Sequence, residues 1–247
     1  MKKVIVTREN LSEYENAVDS IVARTKALMT APDNAWKVFF SMDTESAGVN
    51  VRSVGFGIFL AQSGTPSRAY CVGGVNIDIF PRGVTNPQDC EAADRTAVDG
   101  ERTMNEFWKT RMDTYNTINA NSIPTLDAIR CINILHSKFT SISKDLHIVL
   151  TARPLTYDYT VLQRLYDNEG MRNPFPPLGW YAFCMGTAYA FRSGNGAYSY
   201  NNFNALIKKL GKEELDHVAM NDGIDQFHAY WLFLCEHYGP TEFVPIE

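Results

Sequence analysis

A chain of 247 residues with a formal charge of −5 is long enough to bury a sizeable core in one domain. The acidic balance excludes a coat protein that binds nucleic acid through a large positive excess, but not an enzyme that clusters acids locally. Hydrophobic residues at 45% and charged residues at 21% are an ordinary globular mixture, which excludes a disordered chain.

Cys71, Cys90, Cys131, Cys184 and Cys235 stand far apart without a C-x-x-C pair, so neither zinc spacing nor a disulfide framework is present. Their odd number fits a reducing compartment. No signal-peptide core follows Lys2 and Lys3, and no run approaches the roughly 20 apolar residues of a membrane span. The expectation is a soluble, intracellular (cytoplasmic) protein without a membrane partner.

In chain order, near-helical spacing of Leu11, Tyr14, Ala17, Ile21, Thr25 and Leu28 predicts a helix from about Asn10 to Met29, broken at Pro32-Asp33-Asn34. Trp36 to Asp43 reads as a buried strand, Val54 to Leu60 as a second and Ala69 to Phe80 as a third. Ser63 to Pro66 forms the turn between the latter two, which suggests an antiparallel meander. The polar stretch Pro81 to Glu101 reads as loop. A helix is expected over Ile123 to Lys144 with Pro124 near its start, then a strand at Leu146 to Ala152. Another helix runs from Tyr157 to Glu169 and ends at Gly170, followed by a loop at Phe175 to Gly179. The last helix spans Val218 to His237 and closes before Gly239-Pro240. Strands first in a meander and then alternating with helices predict a mixed α/β fold.

Three groups of polar residues interrupt this apolar pattern. Asp43 and Glu45 end the first predicted strand, and residues two apart on a strand share a face. Two carboxylates held that close repel unless a cation lies between them, and magnesium or manganese suits hard oxygen ligands. Asp158 follows the fourth strand at the start of a helix. His217 and Asp222 lie at the entrance of the last helix and within its first turns. Each group also has a plain structural reading: solvated acids at a turn, Asp158 favouring a helix dipole, and Asp216 capping a helix beside a surface histidine. His136, His147, His228 and His237 lack zinc spacing, and the glycine-rich pieces at Val72-Gly73-Gly74 and Ser193-Gly194-Asn195-Gly196 match no phosphate loop.

The ordered set Asp43-x-Glu45, Tyr157-Asp158 with Leu162, and His217-x-Ala219-x-x-Asp222 resembles the DEDDh 3′→5′ exonucleases. These include polymerase proofreading subunits, RNase T-like enzymes and the phage exonuclease A-like branch. Met104 to Lys109, with its Phe107-Trp108 pair, resembles a segment of that last branch. The resemblance spans about Val38 to Trp231. The chain departs from it at Tyr157, where phenylalanine is usual, and at Thr151 to Pro154, where relatives often have glycine before the second acid motif.

The resemblance implies an RNase H-like sheet over 36–247, a three-stranded antiparallel meander plus parallel strands flanked by helices; the N-terminal helical extension over 1–35, expected from its helical spacing, lies outside it. It implies two divalent cations, Mg²⁺ or Mn²⁺, held by Asp43, Glu45, Asp158 and Asp222, with His217 as general base. Its substrate would be single-stranded DNA or RNA with a free 3′ end, its product a nucleoside 5′-monophosphate, and a homodimer is compatible with it. Thr44, Ser46 and Ala47 would contact the terminal sugar. Trp108 or Phe107 would stack on a base, although core packing is the stronger reading for Phe107. Arg153 and Arg172 are candidates for phosphate contacts. The alternatives are an inactive nucleic-acid-binding module of the same fold, a metal-dependent hydrolase of small phosphodiesters, or a structural protein with scattered acids.

Overall fold

Three long apolar runs in the first third of the chain pair into the centre of a six-stranded mixed sheet. The computed structural model describes residues 1–30, 35–64, 66–175, 182–194 and 200–247. The expected break at Pro32 to Asn34, the loop from Pro176 to Gly179 and the Asn195-Gly196 piece lie outside them. Strands β2 (Trp36–Ala47) and β3 (Asn50–Gln62) are antiparallel and joined by the two-residue turn Gly48-Val49. Gly48 takes φ of +59°, a left-handed conformation that glycine adopts without a Cβ penalty. Strand β4 (Arg68–Asp78) pairs antiparallel with β3, which completes the expected meander. Strand β5 (His147–Ala152) then joins β2 in parallel, and β6 (Ala182–Cys184) joins β5 in parallel.

An opening strand, β1 (Lys2–Val6), pairs in parallel with β4, and the order across the sheet is β1-β4-β3-β2-β5-β6. Five residues beside two lysines carry too little pattern to announce a strand, yet Val4 and Val6 alternate inward. Both join the same core as helix α1 (Tyr14–Leu28).

The stretch from Pro81 to Glu101 is not the continuous loop its polarity suggested. It holds α2 (Cys90–Thr96) and the start of α3 (Gly100–Glu106), followed by α4 (Met112–Asn121). Helices of seven residues are too short to show a period, and isolated ones are unstable in water. Tertiary ties hold these. Arg52 of β3 and Asp94 of α2 form a fully buried ion pair, and Arg52 also donates to Asn119 at 2.6 Å and to the Ile79 carbonyl at 2.9 Å. The Tyr115 hydroxyl and the Asn50 amide donate to the same Asp94 carboxylate, at 2.6 and 2.9 Å.

Alternation along β2 sorts its side chains between two cores. Val38, Phe40 and Met42 join the core built with α1, α5 (Thr125–Thr140) and α6 (Leu155–Asp167); Phe40, for example, meets the Phe139 ring edge-on at 5.2 Å. The odd-numbered residues face α9 (Ala219–Tyr238), whose core also includes residues of α7 (Met185–Arg192) and α8 (Tyr200–Lys209). Phe39 packs on Phe227 at 5.3 Å, and the Ser41 hydroxyl donates to the Gly223 carbonyl at 2.6 Å.

That hydrogen bond is short of side-chain spacers because α9 rests almost directly on the sheet backbone. A Cβ on Gly55 would fall 1.9 Å from the Met220 nitrogen, and one on Gly223 would fall 2.3 Å from the Ser41 oxygen. Gly57 meets Ile224 in the same way. Glycines on both surfaces therefore set the height of the helix above β2 and β3.

Gly55→Ala should lower the unfolding free energy by about 3 kcal/mol or more, since rigid backbone must move to admit the methyl group. Gly64→Ala, where nothing lies within 4 Å, should change it by less than about 0.5 kcal/mol. Urea melts of the two variants check this, and equal losses would mean that α9 can rise off the sheet.

Candidate active site

Where β2 runs out of apolar residues, the same alternation that places Phe39 and Ser41 under α9 delivers Asp43 and Glu45 to its N-terminal end. The two acids are followed by a register irregularity at Glu45/Ser46, and the strand then closes on the Gly48-Val49 turn. From the other core, α6 brings Asp158 to Thr44. The Thr44 amide and hydroxyl both donate to one Asp158 oxygen, at 3.0 and 2.8 Å. Leu155, Val161, Leu162 and Leu165 bury one stripe of α6, and Asp158 lies on the same side of that helix.

His217 and Asp222 come from the turn entering α9. His217 takes φ of +58°, an uncommon left-handed conformation for a residue other than glycine. It lets the backbone amides of Asp216 and His217 donate to the two oxygens of Asp222, at 3.1 and 3.2 Å. Asp216 itself accepts from the Val218 amide and the Asn221 side chain, which pins the turn. The Asn76 side chain on β4 accepts from the Met220 amide at 3.1 Å, tying the helix start to the sheet. Asp216 therefore pins the turn and does not cap the helix, whose N-cap is Val218 without a side-chain cap bond, and His217 points inward. Its Nδ1 lies 3.2 Å from Glu45 Oε1 and 3.9 Å from Asp222 Oδ2.

Asp43, Glu45, Asp158, His217 and Asp222 therefore line one cleft of about 520 Å³, although they arise from three segments well separated along the chain. Glu45, Asp158 and Asp222 are only 6%, 2% and 1% exposed. Burial opposes their ionisation first, and repulsion among the carboxylates opposes it further. Burial pushes Asp43 up to about 7, against a hydrogen bond from Gln226 at 3.0 Å. Burial, then the charges of Asp43 and Glu45, pushes Asp222 up to about 10. Glu45 and Asp158 are raised well above the usual carboxylate range by burial and then by Asp43. His217 is shifted down, by burial and then by the Arg111 guanidinium, which keeps its imidazole neutral near pH 7.

Four desolvated acids without a matching positive side chain in contact form a poor site for protons alone and a good one for hard cations. Among the described residues, none of the four is ion-paired to an arginine or lysine. Ligand atoms of Glu45, His217 and Asp222 lie within 4.8 Å of one another, close enough to share one ion. Carboxylate oxygens as the main donors match Mg²⁺ or Mn²⁺ chemistry.

The residues expected to contact substrate are placed less uniformly. Thr44 lines the cleft, but its donors are committed to Asp158. Ser46 lines it too, with its hydroxyl 2.8 Å from the Tyr157 hydroxyl. Ala47 is buried in a small cluster with Trp108, Met104 and Tyr115. Trp108 is fully buried, with its indole N–H donating to the Ser46 carbonyl at 3.1 Å, so it cannot stack on a base. Its neighbour Phe107 faces the cleft instead, edge-on to His217 at 4.9 Å and covered by Arg111 at 4.5 Å, and Tyr157 also lines it. The sequence reading favours core packing for Phe107, and the structure reverses this: α3 and the short turn after it turn Trp108 into the core and Phe107 towards the cleft. Arg153 lines the cleft and donates to Asn204 at 2.9 Å, whereas Arg172 lines a separate pocket beside His136. Gln226, one helical turn beyond Asp222, is the site residue that motif reading passed over, and its spacing of four on one helix face marks it.

The chain matches no protein-family model and no curated protein sequence. Among the described residues no helix is long and apolar enough to cross a membrane.

The raised acids give stability a definite dependence on pH. Without cations, the folded state keeps protons that the unfolded chain releases above about 4. Stability should therefore be greatest near pH 4 to 5 as far as these groups act, then fall through about 7 as Asp43 ionises, and onward towards 10 with Asp222. Thermal melts in EDTA should give a lower Tm at pH 8 than at pH 5. Mn²⁺ should raise the Tm more at pH 8, and Asp222→Asn should flatten the apo slope. A Tm that climbs with pH in EDTA would contradict the carboxylate cluster.

Proposed function

We propose that this chain is a metal-dependent 3′→5′ exonuclease, built on an RNase H-like sheet, that shortens single-stranded nucleic acid from its 3′ end. One observation carries the reading: the residues of three separate sequence motifs meet in a single cleft, with Glu45, Asp158 and Asp222 buried and all four carboxylates raised above their usual range. A meander followed by parallel strands is the sheet order this reading calls for. Ordinary surface acids would not be buried together at such cost.

Asp43, Glu45, Asp158 and Asp222 would hold two divalent cations, Mg²⁺ or Mn²⁺. Such ions, when bound, acidify a water and offset charge on the phosphoryl oxygens. Thr44 and Gln226 keep Asp158 and Asp43 in place through the contacts described above. The remaining work falls to His217. With Nδ1 against Glu45, its Nε2 is left to accept a proton from the attacking water. As the water oxygen bonds to phosphorus, the bond to the 3′ oxygen of the preceding nucleotide breaks. A nucleoside 5′-monophosphate leaves, and the strand ends in a new 3′ hydroxyl. Neutral imidazole is the form that can take the proton, which the downward shift of His217 favours.

Digestion of 5′-labelled single-stranded DNA and RNA with Mg²⁺ or Mn²⁺ tests this directly. A ladder receding from the 3′ end is expected, and it should vanish in Asp43→Ala/Glu45→Ala. His217→Ala should lower kcat by roughly 10²- to 10⁴-fold while KM changes little. Intact strands of both kinds with both metals would overturn the reading.

A further inference from the structure

Three arginines line the cleft and a fourth, Arg111, stands behind Phe107; their engagements divide them into two pairs. Arg153 is buried, lies over the Phe203 ring at 4.6 Å and donates to Asn204, so it braces the α8 side. Arg111 covers Phe107 and donates to the Phe107 carbonyl at 3.0 Å and to Thr110 at 3.1 Å. Both are held by the protein itself.

Arg102 and Arg164 are not. Arg102, exposed on α3, has only a loose contact with the exposed Asp99 at 3.5 Å. Among the described residues, Arg164, half-buried on α6, reaches only the Val49 carbonyl, also at 3.5 Å. Each guanidinium carries five donors in a planar fork that matches a phosphate, and most of those donors are uncommitted. Both side chains line the cleft that holds the carboxylates, yet neither pairs with any of them.

Their position is set by backbone. The Val49 amide donates to the Val98 carbonyl at 3.2 Å, and a Cβ on Gly48 would fall 2.1 Å from that oxygen and 2.6 Å from the Gly100 nitrogen. The start of α3 is thereby pressed against the β2–β3 turn. Arg102 lies in the first turn of α3, and the Arg164 guanidinium reaches the Val49 carbonyl of the turn. From Glu45 to Ala47 the strand advances about 7 Å, at roughly 3.3 Å per residue, before the turn begins. Both side chains thus line the cleft at its turn end, past the carboxylates along β2.

We infer that Arg102 and Arg164 form a second phosphate subsite, which holds the phosphodiester upstream of the one being cut. This rests on the exonuclease reading and deepens it: the preferred substrate is an oligonucleotide strand carrying at least two phosphodiesters, held by its backbone and without regard to base sequence. A dinucleotide, with its single phosphodiester, gains nothing from the pair.

The test is binding of 5′-fluorescein oligothymidylate by anisotropy, with calcium replacing magnesium, over a series of salt concentrations. Arg102→Gln and Arg164→Gln should each weaken binding and lower the slope of log K against log salt by about 0.7, the value for one phosphate contact on a single strand. The double variant should lose both increments, and a labelled dinucleotide should bind wild type and variants alike. Slopes equal to wild type, in a wild-type protein that does digest the strand, would overturn the subsite and leave the exonuclease reading standing. A wild-type protein that neither binds nor digests the oligomer would overturn both.

Discussion

The close seating of α9 on β2 and β3 is the constraint on which the rest of the site depends. Gly55, Gly57 and Gly223 remove the side chains that would hold helix and sheet at their ordinary separation. Ser41 and Asn76 then fill the contact with hydrogen bonds to the helix backbone. The first turn of α9 therefore comes to rest beside the end of β2. Asp222 and His217 meet Glu45 for that reason, and Gln226 meets Asp43 one helical turn further in.

What this seating brings together does not favour folding. Four carboxylates with raised proton affinities form a locally unfavourable centre, which the two apolar cores on either side of the sheet must outweigh. The acids are still held individually: Asp158 by Thr44, Asp43 by Gln226, and Asp222 by two backbone amides. Such ties fix the oxygens in place but do not neutralise them. A rigid, negative and largely dehydrated cluster is suited to cations that bring their own charge.

A second buried electrostatic element builds the wall opposite α9. Arg52 and Asp94 lock α2 onto the sheet, and the fully satisfied network around them avoids the penalty of a lone buried charge. Through this lock the α2–α4 excursion delivers Phe107 to the edge of His217 and Arg102 to the rim of the cleft. Trp108 and Tyr115 are turned into the small core that the excursion shares with Ala47.

By itself the sequence determined the features with a local physical cause. Alternation along Trp36 to Glu45 put both acids on one face, the meander followed from three apolar runs and short turns, and the long helices were marked by their periods, Pro124 and Gly170. The order of the acid motifs singled out the residues that line the cleft. Only the tertiary structure decided the rest. Lys2–Val6 became a strand because β4 offered it an edge, and Cys90–Thr96 became a helix because Asp94 found Arg52. Trp108 rather than Phe107 was buried because α3 turned it towards Tyr115. The proton affinities of the acids were set first by burial, and for Asp158 and Asp222 then by the charge of Asp43, more than a hundred residues away. Period and propensity act within a few residues, whereas burial and charge proximity depend on which surfaces meet after the chain has folded.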